Sequence, residues 1–443
     1  MRYFIASSIH RNTDKSGCTG THRHRQAIRE DILDAPNAGA SQCLAGIRVV
    51  ELGSSVAAPY AAWILAAMGA EVMKVERPGA GDDARQWGKM FPDGIGSYFH
   101  ALNRDKQSVT VDMKDEAERE WLRDYCTTKA DVVIQNMRPG TVKRLGLDAE
   151  TLRAANPNLI YCNLGAFGNH GPLKDKPGYD PLMQAYGGLM TITGEEGRPP
   201  IRVGTSIIDM GTGMWCAIGI LGALKRRGDT GEGCTVDASL YETAVGWMNN
   251  AVASAAVDPK NPQREGSGAR GMAPYQAYEC SDGYLIIAAP NDSLFERLSK
   301  VLGHPEWPAD PRFNSNQNRY ANLGELNALI EPVVITRTRA EWQEALDQAG
   351  IPSAPVQQTL EMMADPQTEA LGILQTVIGG GPKLVGLPLS FDGTRPPVRQ
   401  SAPVVGQHNE MLKINLPDQT KNCLLYTSPS PRDLSTSRMP SSA

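Results

Sequence analysis

Residues 46–76 read GIRVVELGSSVAAPYAAWILAAMGAEVMKVE, and this stretch decides the fold class. Residues 47–52 are a short β-rich run closed by Gly53. Residues 57–68 are Ala-rich and helix-forming, with Pro59 tolerated in the first turn. Gly69 stops that helix, and residues 70–75 begin the next strand. Further apolar runs follow at 108–111, 131–134 and 159–163, with helical patterns between them. Strand–helix–strand repetition with short connections predicts an α/β fold: a large Rossmann-like domain whose parallel sheet is covered by helices on both faces. Residues 44–230 are read as its first part. Residues 235–349 change character, with a helix after Ser239, a strand at 284–289 and a helix-rich segment at 339–349. They are read as a smaller α+β domain that interrupts the large one, to which residues 350–418 return.

Composition removes several classes of function. The 443 residues are 41% hydrophobic and 21% charged, as in an ordinary globular chain. Their net charge of −5 lacks the basic excess of a nucleic-acid binder. No run of eighteen apolar residues occurs. The eight cysteines are scattered singly, without a C-x-x-C pair, which argues against a zinc site or a disulfide framework. They predict a reducing compartment, read here as the cytoplasm.

The two ends do not match the middle. Residues 1–43 lack helical or strand periodicity, and before Glu30 they carry six basic residues against one acid, Asp14. That bias is either a weak mitochondrial transit peptide or translated upstream sequence. Residues 427–443 read TSPSPRDLSTSRMPSSA, where Ser, Thr and Pro fill eleven of seventeen positions, too polar to bury a core. Residues 419–443 are read as an adapter-derived tail.

Nucleotide chemistry fails its tests. The turn after the first strand, 53–58, reads GSSVAA and lacks the second and third glycines of a dinucleotide fingerprint, although Glu76 is placed to hold a ribose. No P-loop motif occurs either. Cations suit an anionic ligand better. Arg77 and Arg85 follow the second strand, Arg104 and Lys106 precede another, and Arg138, Lys143 and Arg144 follow DVVIQN. Ligands bind at the carboxyl edge of such sheets, so these charges are expected either to converge on a polyanion or to be solvated surface charges.

Asp209 is the most suggestive carboxylate, at the start of a long apolar helix. Helix N–H groups there would keep it ionised and nucleophilic and could stabilise an oxyanion. Gly211 and Gly213 would let an acyl group approach the backbone. Asp is also a favoured helix cap, and the local sequence leaves both readings open. Gly178-Tyr179-Asp180-Pro181 reads as a turn before a helix. Gly266-Ser267-Gly268-Ala269-Arg270-Gly271 is either a lid or a linker.

Taken in order, these motifs resemble family III CoA-transferases, the group of formyl-CoA and carnitine CoA-transferases. The likeness runs from VVELGSSVAAPYAAWILAAMGAEVMKVERPG through NRDKQSVTVDMK, QNMRPGTVKRLGL, GYDPLMQAYGGLMTITG and GTSIIDMGTGMW to APYQAYECSDGYLIIAA and APVVGQHNEML. The resemblance implies that Asp209 is the nucleophile, with Tyr179 and Asp180 in the catalytic site. It implies CoA contacts from Val56, Ala57, Arg77, Lys114, Asn136, Met137, Arg138 and Arg144. It implies an active-site loop at Gly266, Gly268 and Gly271, and a homodimer of interlocked chains. Coenzyme A enters as acyl-CoA substrate, and neither a metal nor a nucleotide cofactor is called for. No nucleic-acid or membrane partner is expected. Relatives continue past GQHNEML into one more helix, where this chain runs into the polar tail.

The implied reaction moves CoA from an acyl-CoA donor to a free carboxylate through aspartyl anhydride and aspartyl-CoA thioester intermediates. APYQAY, SDGYLIIAAPND and MTITGEEG are similar to the succinyl-CoA-dependent dicarboxylate branch. A second carboxylate would need a cation, for which Arg202 and Arg270 are candidates; oxalate and carnitine pairings stay open as alternatives. The α-methylacyl-CoA racemases of the same family use a His in GHD as a base. Here Tyr179 replaces it, and a phenol of pKa about 10 is a poor base. His170, nearest in sequence, falls in an NHGP turn. A catalytically silent CoA-binding protein is the third reading.

Overall fold

The computed structural model describes residues 42–377 and 381–413. The expectations for residues 1–41, for the tail and for a helix past residue 413 lie outside the described residues.

In chain order the large domain opens with β1 (Arg48–Leu52), α1 (Ala57–Ala67), β2 (Glu71–Glu76), β3 (Lys106–Thr110), α2 (Glu116–Thr128), β4 (Val132–Gln135), α3 (Ala149–Ala155) and β5 (Ile160–Gly165). It continues with α4 (Asp180–Tyr186), α5 (Ile207–Thr230), β6 (Thr235–Ser239) and α6 (Leu240–Trp247). The six strands form one parallel sheet in the order β3-β2-β1-β4-β5-β6, the doubly wound order with its switch point between β1 and β4. Side chains alternate across it as strand geometry requires. Val49, Val72, Val132 and Ile160 face α1 and α5, while Val50, Met73, Val133 and Tyr161 face α2 and α3.

Every residue of α1 is buried, which explains a sequence apolar all round. α1 and α5 cross closely because residue 213 is glycine: a Cβ there would stand 2.6 Å from the Ala57 carbonyl. A Cβ on Gly211 would meet the Trp247 ring at 2.8 Å. The two glycines therefore serve helix packing rather than approach of an acyl group, correcting the sequence reading. α5 is 24 residues long, with a mean hydropathy of 1.6 over eighteen of them, so by length and composition alone it could cross a membrane. Here Ile208, Cys216, Ala217 and Ile220 pack it into the sheet's cover.

β6 corrects the domain boundary. Read as the start of the small domain, it pairs in parallel with β5 from Tyr161↔Thr235 to Gly165↔Ser239. Its sequence, TVDAS, hides it, because an edge strand with one buried residue has no need of an apolar run.

The small domain is built on β7 (Tyr275–Cys280), β8 (Gly283–Ala288), α7 (Asp292–Val301), α8 (Leu323–Val334), α9 (Arg339–Gln348) and β9 (Ser353–Pro355). The antiparallel order β7-β8-β9 carries it past the expected end at 349. Phe295, Phe313, Leu326, Ile330 and Trp342 fill a core of its own. The chain then returns to the free edge of β3. Arg399 and Gln400 donate backbone N–H groups to Asp105 (both 2.8 Å), and the Asn409 side chain accepts from Thr110 N at 2.9 Å.

Candidate active site

Loops at the carboxyl ends of β1, β4 and β5 meet α4 and the start of α5 around a cleft of about 1000 Å³. The loops after β1 and β4 are clasped across the switch point. Ser54 N donates to Asn136 Oδ1 at 3.0 Å, and Asn136 Nδ2 returns to Ser54 O at 2.9 Å. A side-chain ladder ties the neighbouring strand ends, from Gln135 Nε2 to Asn163 Oδ1 (2.8 Å) and from Asn163 Nδ2 to Asp237 Oδ1 (2.8 Å). Sequence reading passed over this ladder. Its signal was a polar residue closing each apolar run, as Gln135 closes DVVIQ.

A buried charge network supports the β1 turn from below. Lys74 Nζ contacts Glu51 (2.7 Å), Asp82 (2.8 Å) and the Gly53 carbonyl (3.0 Å). Asp82 in turn accepts from Ser55 N at 3.1 Å, holding Ser55 at φ 70°. Lys106 Nζ reaches Glu51 (2.7 Å), the Pro59 carbonyl and Asn103. Burial opposes both ammonium groups. Asp82 and Glu51 nonetheless hold Lys74 above the usual lysine range, while Lys106 is pushed down to about 8.

That network corrects the reading of several cations. Lys106 is buried in it, Arg85 is bound to Glu76 at 2.7 Å, and Arg104 is 2% exposed. Glu76, expected to hold a ribose, instead accepts from Arg85, Asp82 N and Ser108; against burial, Arg85, the Lys74 charge and Ser108 keep its pKa low. These partners stand up to 55 residues apart, out of reach of a local motif.

Of the expected CoA contacts, Val56, Ala57, Asn136, Met137 and Arg138 line the cleft. Arg77 lies outside its lining, paired with Asp83, and Lys114 and Arg144 are exposed away from it. The first turn of α1 opens at Ala57, and backbone N–H groups at a helix N-terminus favour phosphate. Gly266, Gly268 and Gly271 do not line the cleft. Gly266 N bonds the Gly194 carbonyl at 2.9 Å, and Arg270 turns back onto Glu265 at 3.0 Å. Arg202 does line the cleft.

Tyr179, Asp180 and Asp209 come together on its far wall. Tyr179 is 61% exposed and Asp180 only 3%. α5 starts two residues before Asp209, with Ser206 as N-cap, so Asp209 sits inside the first turn. Its helix N–H groups go elsewhere: Ile208 N and Asp209 N both donate to Asp180 Oδ2, at 2.7 and 3.1 Å. Gln184 Nε2 binds the other Asp180 oxygen at 2.6 Å. Asp180 thus caps the helix from outside, a positioning role, and the Asp209 carboxylate has no hydrogen bond or ion pair among the described residues. Burial, together with the Asp180 charge, raises the Asp209 pKa to about 7. This reverses the expectation of a fully ionised carboxylate stabilised by its own helix. The basicity so gained makes the ionised form a stronger nucleophile.

Comparison with known proteins places this geometry in a family. Residues 44–409 match CoA-transferase family III. The chain is similar to the succinate–glutarate CoA-transferase of Agrobacterium fabrum, 34% identical over 87% of this chain and 98% of that one. It is 35% identical to the acetyl-CoA:oxalate CoA-transferase of Acetobacter aceti, over 83% of this chain and 94% of that one. Among solved structures, a CAIB/BAIF family protein from Brucella suis superposes with a TM-score of 0.78 at 36% identity, covering 84% of this chain and 99% of that one.

Proposed function

The chain belongs to CoA-transferase family III, and from that premise we propose that it moves CoA from succinyl-CoA to a dicarboxylic acid through covalent intermediates on Asp209. One observation carries the mechanism: an unpaired, partly buried carboxylate of pKa about 7 at the wall of a cleft large enough for an acyl-CoA.

An Asp209 oxygen attacks the donor thioester carbonyl; the C–S bond breaks, giving a mixed anhydride and CoA thiolate. The thiolate attacks the Asp209 carbonyl, releasing the donor acid and leaving aspartyl-CoA. An acceptor carboxylate oxygen attacks that thioester and expels the thiolate, forming a second anhydride. The thiolate takes the acceptor acyl group from it, and Asp209 leaves as carboxylate. Each exchange trades one thioester for another, so neither ATP nor a metal is required. Val56, Ala57, Asn136, Met137 and Arg138 are suited to hold the CoA portion. Asp180 keeps the first turn of α5, and Asp209 with it, in place.

Dicarboxylate choice rests on Arg202, an exposed cation in the same cleft, and on the substrates named for the two relatives. Arg270 is withdrawn from that role because Glu265 holds it. Among the described residues no histidine lines the cleft, so a two-base racemisation lacks a second group of suitable pKa. A homodimer is supported by the apolar face that Met214, Trp215 and Ile218 of α5 and Trp247 of α6 leave exposed.

Intact-protein mass spectrometry after mixing with succinyl-CoA tests the reading. A CoA-sized adduct on wild type, absent from Asp209→Ala and discharged by glutarate as glutaryl-CoA, is the expected result. An adduct that no dicarboxylate discharges overturns the substrate, and no adduct with any acyl-CoA overturns the mechanism.

A further inference from the structure

Residues 203–208 form an arch whose two ends stand on two side chains of α4. At one end, Ile208 N and Asp209 N donate to Asp180 Oδ2. At the other, Val203 N donates to Gln184 Oε1 at 2.8 Å, and Gln184 Nε2 approaches the Val203 carbonyl at 3.4 Å. The two supports are themselves joined, because Gln184 Nε2 donates to Asp180 Oδ1 at 2.6 Å. Positions 180 and 184 lie one helical turn apart, the spacing at which such a pair meets. Gln184 is fully buried and does not line the cleft.

The arch carries a functional group at each end. Asp209 follows directly after one support and Arg202 directly precedes the other; both line the cleft, with Ser206 between them. Arg202 folds over its own end, where Nη1 donates to the Val203 and Gly204 carbonyls at 3.3 and 3.2 Å. The guanidinium therefore goes where the Val203 backbone goes. A side-chain amide has a donor and an acceptor at its tip, so Gln184 can grip a backbone N–H and a carboxylate at once. A hydrocarbon of the same size would leave both without this partner.

On the premise of dicarboxylate transfer at Asp209, we infer that Gln184 is a positioning residue that sets where Arg202 stands relative to Asp209. An acceptor with its reacting carboxylate at Asp209 and its second carboxylate at Arg202 spans the arch. Fixing both ends of the arch to one helix turn thus selects the length of the acid, without Gln184 touching it.

The test is a competition between glutarate and butyrate for the full chain loaded with succinyl-CoA. Both acids partition the same aspartyl-CoA, so the ratio of glutaryl-CoA to butyryl-CoA is independent of the donor step. Wild type should favour glutarate, and Arg202→Gln should remove that preference. Gln184→Met of native circular dichroism should lower the ratio about tenfold or more, through the KM for glutarate. In the Arg202→Gln background the same substitution should change it less than about twofold, since the two act through one contact. Without substrate, hydrogen exchange at the Val203 amide should quicken about tenfold or more in Gln184→Met. Gln184→Asn, whose amide falls one methylene short, gives the same readings should Gln184→Met not fold. Wild-type selectivity or wild-type Val203 exchange in a folded Gln184 variant overturns the inference and leaves dicarboxylate transfer standing, as do equal losses with and without Arg202. A wild type indifferent to glutarate overturns dicarboxylate transfer, and the inference with it.

Discussion

Beneath the cleft, the large domain buries Glu51, Lys74, Asp82 and Lys106 in one connected set, whereas the small-domain core around Phe295 and Trp342 encloses a single charged side chain among the described residues, Arg319. The first arrangement fixes loop backbone: Gly53 O and Ser55 N are held by Lys74 and Asp82. The second fixes volume, with Trp342 1% exposed and its Nε1 bonded to Val334 O at 2.7 Å. Polar burial thus lies where a turn must keep an unusual shape for a ligand, and dry packing where a domain need only be solid.

The most disruptive change to that contrast is chemical. Asp209→Asn should cut turnover by about 10⁴-fold or more while leaving the far-ultraviolet circular dichroism unchanged, since the carboxylate makes no hydrogen bond or ion pair among the described residues. Lys74→Met should destabilise by about 3–5 kcal/mol, because Glu51 and Asp82 lose their shared cation. It should also raise KM for acyl-CoA. Trp342→Ala should lose a similar 3–5 kcal/mol through cavity formation, with KM per folded molecule unmoved at 20 °C. Equal KM effects in the two variants would erase the distinction between the domains.

A smaller effect follows from the Asp209 pKa. The folded protein holds this proton up to about pH 7, against a value of 3.8 for an unperturbed carboxyl, so the group's contribution to stability is present below pH 3.8 and lost as pH rises through 7. Asp209→Asn should therefore gain about 1–2 kcal/mol on wild type at pH 8 and little at pH 4, by thermal unfolding. Wild-type acylation should rise with pH through about 7 and then level off. Smallest of all, Arg138→Ala should raise KM for acyl-CoA several-fold, by loss of an exposed phosphate contact, while Lys114→Ala leaves it unchanged.

The sheet and its helices were legible because each strand of the core is an apolar run between glycines and caps, as residues 46–76 are. Motif order picked out Asp209 and five of the residues expected to contact CoA, all of which line the one cleft. What stayed hidden depends on partners distant in sequence. Arg85 and Lys106 read as ligand cations because Glu76 and Glu51 come to them only in the fold. The state of Asp209 was read backwards because its helix is capped by a carboxylate 29 residues upstream. Gly211 and Gly213 could not be told from substrate-facing glycines until Trp247 and Ala57 were seen against them.

The return of residues 399–409 to β3 governs the order in which the chain can assemble. His408 accepts from Ser108 N and gives its own N–H to Ser108 O, and Asn409 spans Thr110 at both backbone and side chain. Some 300 residues separate the two sides of that seam. During synthesis the sheet's outer strand therefore waits, its edge groups uncovered, until residues 399–409 have left the ribosome. A nascent chain halted after the small domain would present that strand to any other edge it met. Its last contacts to form are the ones that keep neighbouring molecules from adding a strand of their own.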